Sequence, residues 1–383
     1  MKIIYLDNAA STKVDEKVLK AMLPYFSEKY ANASSKHEAG QKIREAVESS
    51  RKIIAKSINA KPGEIIFTSG GTESNNLALK GLFFYHKQAK TGKNHLITTK
   101  IEHDSILETC KWLEKQGAEI TYLDVDNNGF VDLKQLKNSI TKKTFLVSII
   151  QGNNEIGTIQ DLEKIGKLCK EKNVLFHTDA CQSFTKTFLD VKIQNLDLAT
   201  INSHKIHGPK GIGALYIREE LKKKIIPLIH GGGHEFQKRS GTENVSGIIG
   251  FAEAVKMKIA NSKENKSMAI LRDKLINRIL KIPNAKLNGP AGEKRLCNNI
   301  NVSFSDLESE AIMTYLEKYK IYVSVGSACH INKSSHVLKA IGLKENEINS
   351  SIRISISKYT TKKEIDYFLE KLKWVVERLK TYK

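Results

Sequence analysis

The chain has 383 residues, of which 40% are hydrophobic and 7% aromatic, so it can bury a sizeable core and fold as two or three domains. This composition excludes a disordered chain, a collagen and a small disulfide scaffold. The formal net charge is +20 at pH 7, which favours nucleic acid or an anionic surface as a partner. Only nine of the 62 basic residues are arginines, however, and proteins that read phosphates and bases usually use the planar fork of arginine.

The number and spacing of the cysteines indicate a reducing compartment and argue against a disulfide framework or a metal site. They are Cys110, Cys169, Cys181, Cys297 and Cys329. Their number is odd and no two form a CxxC pair, so we predict neither a disulfide framework nor a metal site. The apolar run at the N-terminus is too short for a signal peptide, and no apolar stretch approaches the ~20 residues of a membrane helix. We therefore expect a cytoplasmic protein with no membrane partner.

Short β-branched runs alternate with amphipathic stretches of helical length through the first part of the chain. The runs span residues 64–68, 95–98, 119–125, 144–150, 174–177, 198–201 and 213–217. The helical stretches include residues 73–86, 105–115 and 162–170. This alternation predicts an α/β fold with a mostly parallel sheet that is covered by helices on both faces.

The pattern changes near residue 245, where a long charged helical region begins. It runs to about residue 282 and is followed by strands at 299–304 and 352–356 and by helices at 308–318 and from 362 onward. Ile352, Ile354 and Ile356 alternate with polar residues, so we predict that this strand has one solvated face. We predict a large mostly parallel-sheet domain over residues 16–250, and a smaller α+β domain formed by residues 1–15 and 251–383.

A glycine turn between a strand and a helix, at Gly71 and Thr72, has the form of a phosphate site. Glycine lets the backbone approach an anion, and a helix N-terminus offers free N–H groups with a positive dipole end. The alternative is a tight turn in which Thr72 is an ordinary helix cap.

Two charged residues follow other predicted strands. Asp179 ends a buried-looking strand, where a carboxylate is costly unless it is paired or hydrogen-bonded; it would either hold a heterocyclic nitrogen protonated or cap the strand end. Lys205 ends the next strand and would either form a Schiff base or belong to a basic loop. A phosphate turn, an aspartate and a lysine at such positions are together the parts of a pyridoxal-phosphate site.

Motifs in family order over nearly the whole chain then point to one family. They are residues 5–10 (YLDNAA), 67–74 (FTSGGTES), 102–103 (EH), 153–157 (NNEIG), 179–183 (DACQS), 204–205 (HK), 239–242 (RSGT) and 326–329 (GSAC). On these residues the chain closely resembles the cysteine desulfurases, in the class V aminotransferase group of fold-type I pyridoxal-phosphate enzymes. The resemblance implies a fold-type I transferase that converts L-cysteine to L-alanine. The sulfur would pass to Cys329 as a persulfide, for iron–sulfur cluster assembly or other thiolation.

The resemblance also implies roles for individual residues. Lys205 would bind the cofactor covalently and move protons, Asp179 would pair with the pyridinium, and His103 would stack on the ring and act as acid and base near the substrate thiol. Cys329 would accept the sulfur. The remaining cofactor and substrate contacts would come from Gln182, Asn154 and Arg353, the last gripping the substrate carboxylate with its fork unless it is a strand arginine on a solvated face. The phosphate would be held by Gly71, Thr72, Asn202, His204 and, from the second subunit of a homodimer, Thr242.

The chain departs from the family pattern at a few positions. Asn202 stands where the family usually has serine, so an amide replaces one phosphate hydroxyl. Cys181 replaces a threonine or a small apolar residue, and its thiol is a candidate second sulfur acceptor. The loop after Cys329 reaches Ser335 about two residues sooner than in long-loop relatives. These changes leave the identity of the sulfur recipient open.

Other functions remain as alternatives. They are a tRNA-dependent pyridoxal-phosphate enzyme that makes cysteinyl-tRNA from a phosphoserine precursor, a selenocysteine lyase, an inactive cofactor-binding subunit, and an ordinary aminotransferase in which Cys329 would have no task. The 326–329 motif and the Glu102–His103 pair fit free cysteine better than a tRNA substrate. We therefore predict that nucleic acid is not the main partner, and that the dispersed lysines form a solvated surface that attracts an acidic sulfur-accepting protein.

Overall fold

The computed structural model describes residues 3–261, 263–325 and 334–381. The helices are α1 (Glu16–Met22), α2 (Pro24–Ser27), α3 (Glu38–Ser57), α4 (Gly71–Gln88), α5 (Asp104–Glu114), α6 (Leu133–Ser139), α7 (Leu162–Glu171), α8 (His234–Gln237), α9 (Val245–Ala260), α10 (Lys263–Ile279), α11 (Ser309–Lys318), α12 (His336–Ala340), α13 (Glu345–Asn349) and α14 (Lys362–Lys380). The strands are β1 (Ile4–Tyr5), β2 (Ile65–Thr68), β3 (His95–Thr99), β4 (Glu119–Leu123), β5 (Thr144–Ser148), β6 (Leu175–Asp179), β7 (Leu198–Asn202), β8 (Gly213–Ile217), β9 (Ala285–Leu287), β10 (Asn299–Phe304), β11 (Ile321–Tyr322), β12 (Ser324–Val325) and β13 (Ser351–Ser355). Within these ranges no helix combines the length and the apolar character that crossing a bilayer requires.

A seven-stranded sheet in the order β2-β8-β7-β6-β5-β3-β4 forms the centre of the larger part of the molecule. Only β8 runs antiparallel to its neighbours within this sheet. Apolar side chains of α1, α3, α7 and α9 cover one face, and those of α4 and α5 cover the other. All seven predicted strands form, and every end lies within two residues of its prediction. The predicted mostly parallel sheet with two covered faces is confirmed.

A second, antiparallel sheet in the order β12-β13-β10-β9 packs against α10, α11 and α14. Strand β1 pairs with β11 in parallel, and its Ile4 and the adjacent Leu6 belong to the same apolar cluster. The N-terminal residues therefore pack with the C-terminal part of the chain, as the α+β prediction requires. The domain boundaries after residues 15 and 250 stay a prediction.

The predicted solvated face of the strand at 352–356 is wrong. The polar residues Ser351, Arg353 and Ser355 are 1%, 2% and 0% exposed. The N-terminal segment covers this face: Asp7 bridges to Ser355 in the β pattern and pairs with Arg353. Alternation of apolar and polar residues here marks a polar contact between two parts of the protein, because buried polar groups are tolerated where they bond to one another.

Residues 7–15, which we name the N-terminal strap, connect the two sheets. At one end, the backbone N–H of Ala9 donates to Ser355 Oγ at 2.8 Å. In the middle, the Thr12 hydroxyl and N–H both donate to the carbonyl of His204, at 2.9 and 3.1 Å. At the other end, Asp15 accepts from Lys358 Nζ at 2.5 Å. The strap thus joins the loop of Lys205 to the smaller sheet.

We expect Asp15→Asn to destabilise the protein at neutral pH. Burial alone would raise the pKa of Asp15, but hydrogen bonds from Lys358 and Tyr359 lower it from 3.8 to about 2. The carboxylate therefore contributes stability above about pH 4 and loses that contribution as the pH falls toward 2. Urea unfolding at pH 7 should show that the free energy of unfolding of the variant is lower than that of wild type by about 1–2 kcal/mol.

The matched control is Asp124→Asn, because Asp124 pairs with Lys100 on the exposed surface. The free energy of unfolding of this control variant should fall by less than about 0.5 kcal/mol. Equal losses in the two variants would contradict the role given to the strap.

Candidate active site

A cavity of about 430 Å³ opens beyond the carboxyl ends of β6 and β7. Its walls bring together ten residues that the sequence predicted for one site: Gly71, Thr72, His103, Asn154, Asp179, Gln182, Asn202, His204, Lys205 and Arg353. Carboxyl ends of parallel strands meet at one edge of a sheet, which is why residues far apart in the chain converge here.

One wall of the cavity is the beginning of helix α4. Gly70 at the N-cap position makes no side-chain capping bond, so the first N–H groups of the helix are available. A Cβ atom on Gly71 would lie 2.5 Å from Cys181 Sγ, so a larger residue there would displace the Cys181 side chain. Asn202 is 3% exposed, and its Oδ1 has no hydrogen-bond partner in the described chain. An amide can turn to present either its oxygen or its NH₂ group, and this wall therefore offers donors to an anion.

Asp179 lies at the end of β6 and is 4% exposed. Asn75 Nδ2 donates to Asp179 Oδ2 at 2.7 Å, and the Cys181 N–H donates to Oδ1 at 2.9 Å. Over the ranges that the structure covers, Asp179 forms no ion pair with a lysine, arginine or histidine. A buried carboxylate held by neutral donors alone is a strong site for a cation.

Lys205 carries the candidate nucleophilic amine. Its Nζ donates to the carbonyl oxygens of Ala9 and Ala10, at 2.5 and 2.6 Å. Gln182 Nε2 donates to the same Ala9 carbonyl at 2.8 Å. The N-terminal strap therefore forms the wall that holds both side chains.

His204, next to Lys205, is neutral at working pH. Burial, and then the positive charges of Lys205, Lys210 and Lys186, lower its pKa to about 3. Its Nδ1 lies 3.3 Å from Ser11 Oγ. A neutral imidazole acts toward an anion as a hydrogen-bond donor and adds no full charge.

His103 is the N-cap residue of α5. Its Nδ1 accepts from the Ser105 N–H at 3.1 Å, so the neutral ring carries its proton on Nε2. Ser105 Oγ in turn accepts from Asn75 Nδ2 at 2.8 Å. A chain of hydrogen bonds therefore runs from His103 through Ser105 and Asn75 to Asp179, and fixes the orientation of all four side chains.

Arg353 lies on β13 at the opposite side of the cavity. Its Nη2 donates to Asp7 Oδ1 at 2.8 Å and its Nη1 to the carbonyl of Asn154 at 3.4 Å. Its Nε is buried and has no partner among the described residues. An oriented guanidinium with an unsatisfied N–H group is suited to a planar carboxylate.

Two predicted residues are not brought into the cavity. Thr242 is exposed and lines a separate cavity with Thr68 and Arg239. Cys329 lies outside the described residues. Cys181 does line the cavity, but burial, and then the charge of Asp179, raise its pKa well above 9.0, so its thiol is protonated and a poor nucleophile at neutral pH.

The sequence reasoning gave no role to Asn75, Ser105 or Asp7. Asn75 follows Gly71 by four residues, so both lie on one face of α4; this spacing was the available signal. Ser105 stands two residues after His103, which is a recognisable N-cap arrangement. Nothing in the chain near Asp7 indicates that its partner is Arg353, 346 residues away.

The strand order of the large sheet and the cavity at its carboxyl edge can now be compared with those of known protein families. The family model described as Aminotransferase class-V matches residues 4–368. A cysteine desulfurase IscS of Dictyoglomus turgidum is 47% identical, with 99% of this chain and 95% of the relative covered. A solved structure titled NIFS-like protein matches with a TM-score of 0.92 and 39% identity over 99% of this chain and 100% of its own. One titled SspA in complex with cysteine matches with a TM-score of 0.82 and 38% identity, covering 94% and 100%.

The chain therefore belongs to the class V aminotransferase family, in its cysteine desulfurase group. The resemblance and the fold class predicted from the motifs are confirmed.

We expect Glu102→Gln to stabilise the protein increasingly as the pH rises. Glu102 is fully buried, and burial is the main cause that raises its pKa from 4.5 to about 8. Between these values the folded state binds one more proton than the unfolded state, so the wild type loses stability with rising pH. Glutamine does not titrate, so the stability difference should grow by at least about 1 kcal/mol between about pH 5 and 8. Urea unfolding across this range measures it, and a difference that does not vary with pH would contradict the assignment.

Proposed function

We propose that this chain is a pyridoxal-phosphate-dependent cysteine desulfurase that converts L-cysteine to L-alanine and passes the sulfur to Cys329 as a persulfide. The product sulfur would serve iron–sulfur cluster assembly or another thiolation. The observation that carries the proposal is the placing of Asp179, Lys205 and Arg353 on the walls of one cavity: a buried anion, an amine and an oriented guanidinium.

The cavity fits pyridoxal phosphate by the chemistry of its donors. Asp179 would hold the ring nitrogen protonated, since it is a buried carboxylate without a described cation. The N–H groups at the start of α4 and the NH₂ group of Asn202, which lines the cavity, would donate hydrogen bonds to the phosphate. Lys205 would bind the aldehyde carbon. When bound, the cofactor supplies an electron sink that weakens bonds at the substrate α-carbon.

L-cysteine is the substrate that the remaining walls favour. The Nε and Nη groups of Arg353 would bind its carboxylate, with Asp7 and the Asn154 carbonyl fixing the guanidinium plane. His103 would exchange a proton with the substrate thiol, because its ring lines the cavity and the Ser105 N–H fixes its orientation through Nδ1. The solved structure titled SspA in complex with cysteine, similar to this chain over 94% of its length, supports the assignment.

The sulfur transfer balances without an added oxidant or reductant. The Cβ–S bond of cysteine breaks and an S–S bond forms to the Cys329 thiolate, while the substrate carbon takes up protons and leaves as alanine. The thiolate of Cys329 becomes a persulfide, in which the transferred sulfur is oxidised as the carbon is reduced. A sulfur-accepting protein would then regenerate the thiol.

A homodimer would complete the phosphate site. Thr242 is exposed and lines a different cavity of its own chain. We propose that it reaches the phosphate of the partner subunit, as the family resemblance implies.

The test incubates purified protein and L-cysteine, counts alanine, and locates the persulfide by mass spectrometry. We expect one alanine per sulfur transferred and the extra sulfur on the peptide that contains Cys329. Cys329→Ala should lower alanine formation by about a hundredfold or more, whereas Cys181→Ala should retain most of it because that thiol is protonated.

Two results would overturn the proposal. One is alanine formation by Cys329→Ala at the wild-type rate, which would show that Cys329 is not the sulfur acceptor. The other is the absence of a protein-bound cofactor absorbance band when wild type is mixed with pyridoxal phosphate, which would show that the protein does not bind this cofactor.

A further inference from the structure

An ion pair lies directly behind the proposed phosphate wall. Glu73 occupies the first turn of α4, two residues after Gly71. Its Oε1 accepts from Arg239 Nε at 3.0 Å, and its Oε2 accepts from the Ser69 N–H at 2.9 Å. The carboxylate therefore folds back toward the beginning of the helix, next to Gly71 and Thr72, which line the cavity.

A carboxylate at this place works against phosphate binding. Negative charge at a helix N-terminus is favourable by itself, but here its field repels a second anion that would bind at the same positive dipole end. Glu73 and Arg239 are only 16% and 25% exposed, so solvent screens their charges incompletely. Although burial raises the pKa of Glu73, the bonds from Arg239 and Ser69 lower it overall, so the group stays ionised at neutral pH.

We propose that Arg239 is the electrostatic positioning residue of the phosphate wall: its guanidinium cancels the charge of Glu73 and so sets the affinity of the cavity for phosphate. This inference rests on the proposed function, because the phosphate concerned is that of pyridoxal phosphate. Neither residue lines the cavity, so the pair acts through its field on the start of α4 and makes no contact with the ligand.

The test is a double-variant cycle on the cofactor-free full chain. The dissociation constant of pyridoxal phosphate is measured by absorbance titration for wild type, Arg239→Gln, Glu73→Gln and the double variant. Arg239→Gln should weaken binding by about tenfold, because an uncompensated carboxylate then faces the phosphate. Glu73→Gln should bind as tightly as wild type or up to about fivefold more tightly, and the double variant should return to within about twofold of wild type.

Three controls separate charge from structure. Pyridoxal without its phosphate should bind all four proteins alike. Arg278→Gln, which removes an equal charge from an exposed pair with Asp366, should leave pyridoxal phosphate affinity unchanged. Raising the salt concentration should shrink the defect of Arg239→Gln, because ions screen the exposed part of the field.

The outcomes distinguish this inference from the proposed function. If wild type binds no pyridoxal phosphate, the proposed function fails and the inference fails with it. If wild type binds and the double variant stays as weak as Arg239→Gln, then Arg239 acts structurally, for example by holding the segment that carries Thr242, and only the electrostatic role is overturned. If Arg239→Gln does not fold, the decision falls to Glu73→Gln, for which weaker binding than wild type would overturn the proposal.

Discussion

The arrangement of the site depends on one buried charge, the carboxylate of Asp179. Two neutral donors, Asn75 Nδ2 and the Cys181 N–H, orient its oxygens but do not cancel its charge. Burying a carboxylate without a cationic partner is unfavourable, and the surrounding fold supplies stability through apolar clusters on both faces of the large sheet. A site that leaves a charge uncompensated in this way is suited to a ligand that brings the opposite charge.

The N-terminal strap relates this buried charge to the rest of the cavity. Its carbonyls hold Lys205, its Asp7 orients Arg353, and its Asp15 accepts from Lys358, which follows β13. The amine of Lys205 follows β7 of the large sheet and the guanidinium of Arg353 lies on β13 of the smaller sheet, and one backbone segment contacts both. This explains why the polar face of β13 is buried: it forms part of the cavity wall and of the contact with the strap.

Most of the large sheet could be predicted from the sequence, because buried parallel strands are short β-branched runs separated by helices of regular period. The phosphate turn, Asp179 and Lys205 were predictable from their positions after strands, whereas the other cavity residues were predicted through the resemblance to the cysteine desulfurases. The solvated face expected for residues 352–356 was wrong because alternation reports which side chains share a face and says nothing of what covers that face. The Asp7–Arg353 and Glu73–Arg239 pairs could not be found either, because their partners are 346 and 166 residues apart.

The central claim is that Asp179 is a charge kept uncompensated for a cationic ligand, and thermal unfolding of wild type and Asp179→Asn tests it directly. Without cofactor, the variant should be the more stable protein, because the buried charge is gone and the unsatisfied Oδ1 of Asn75 can accept from the new amide. With saturating pyridoxal phosphate the order should reverse, because wild type gains an ion pair that the variant lacks. A cofactor-free variant that is less stable than wild type, with an equal gain from the cofactor in both proteins, would contradict the account.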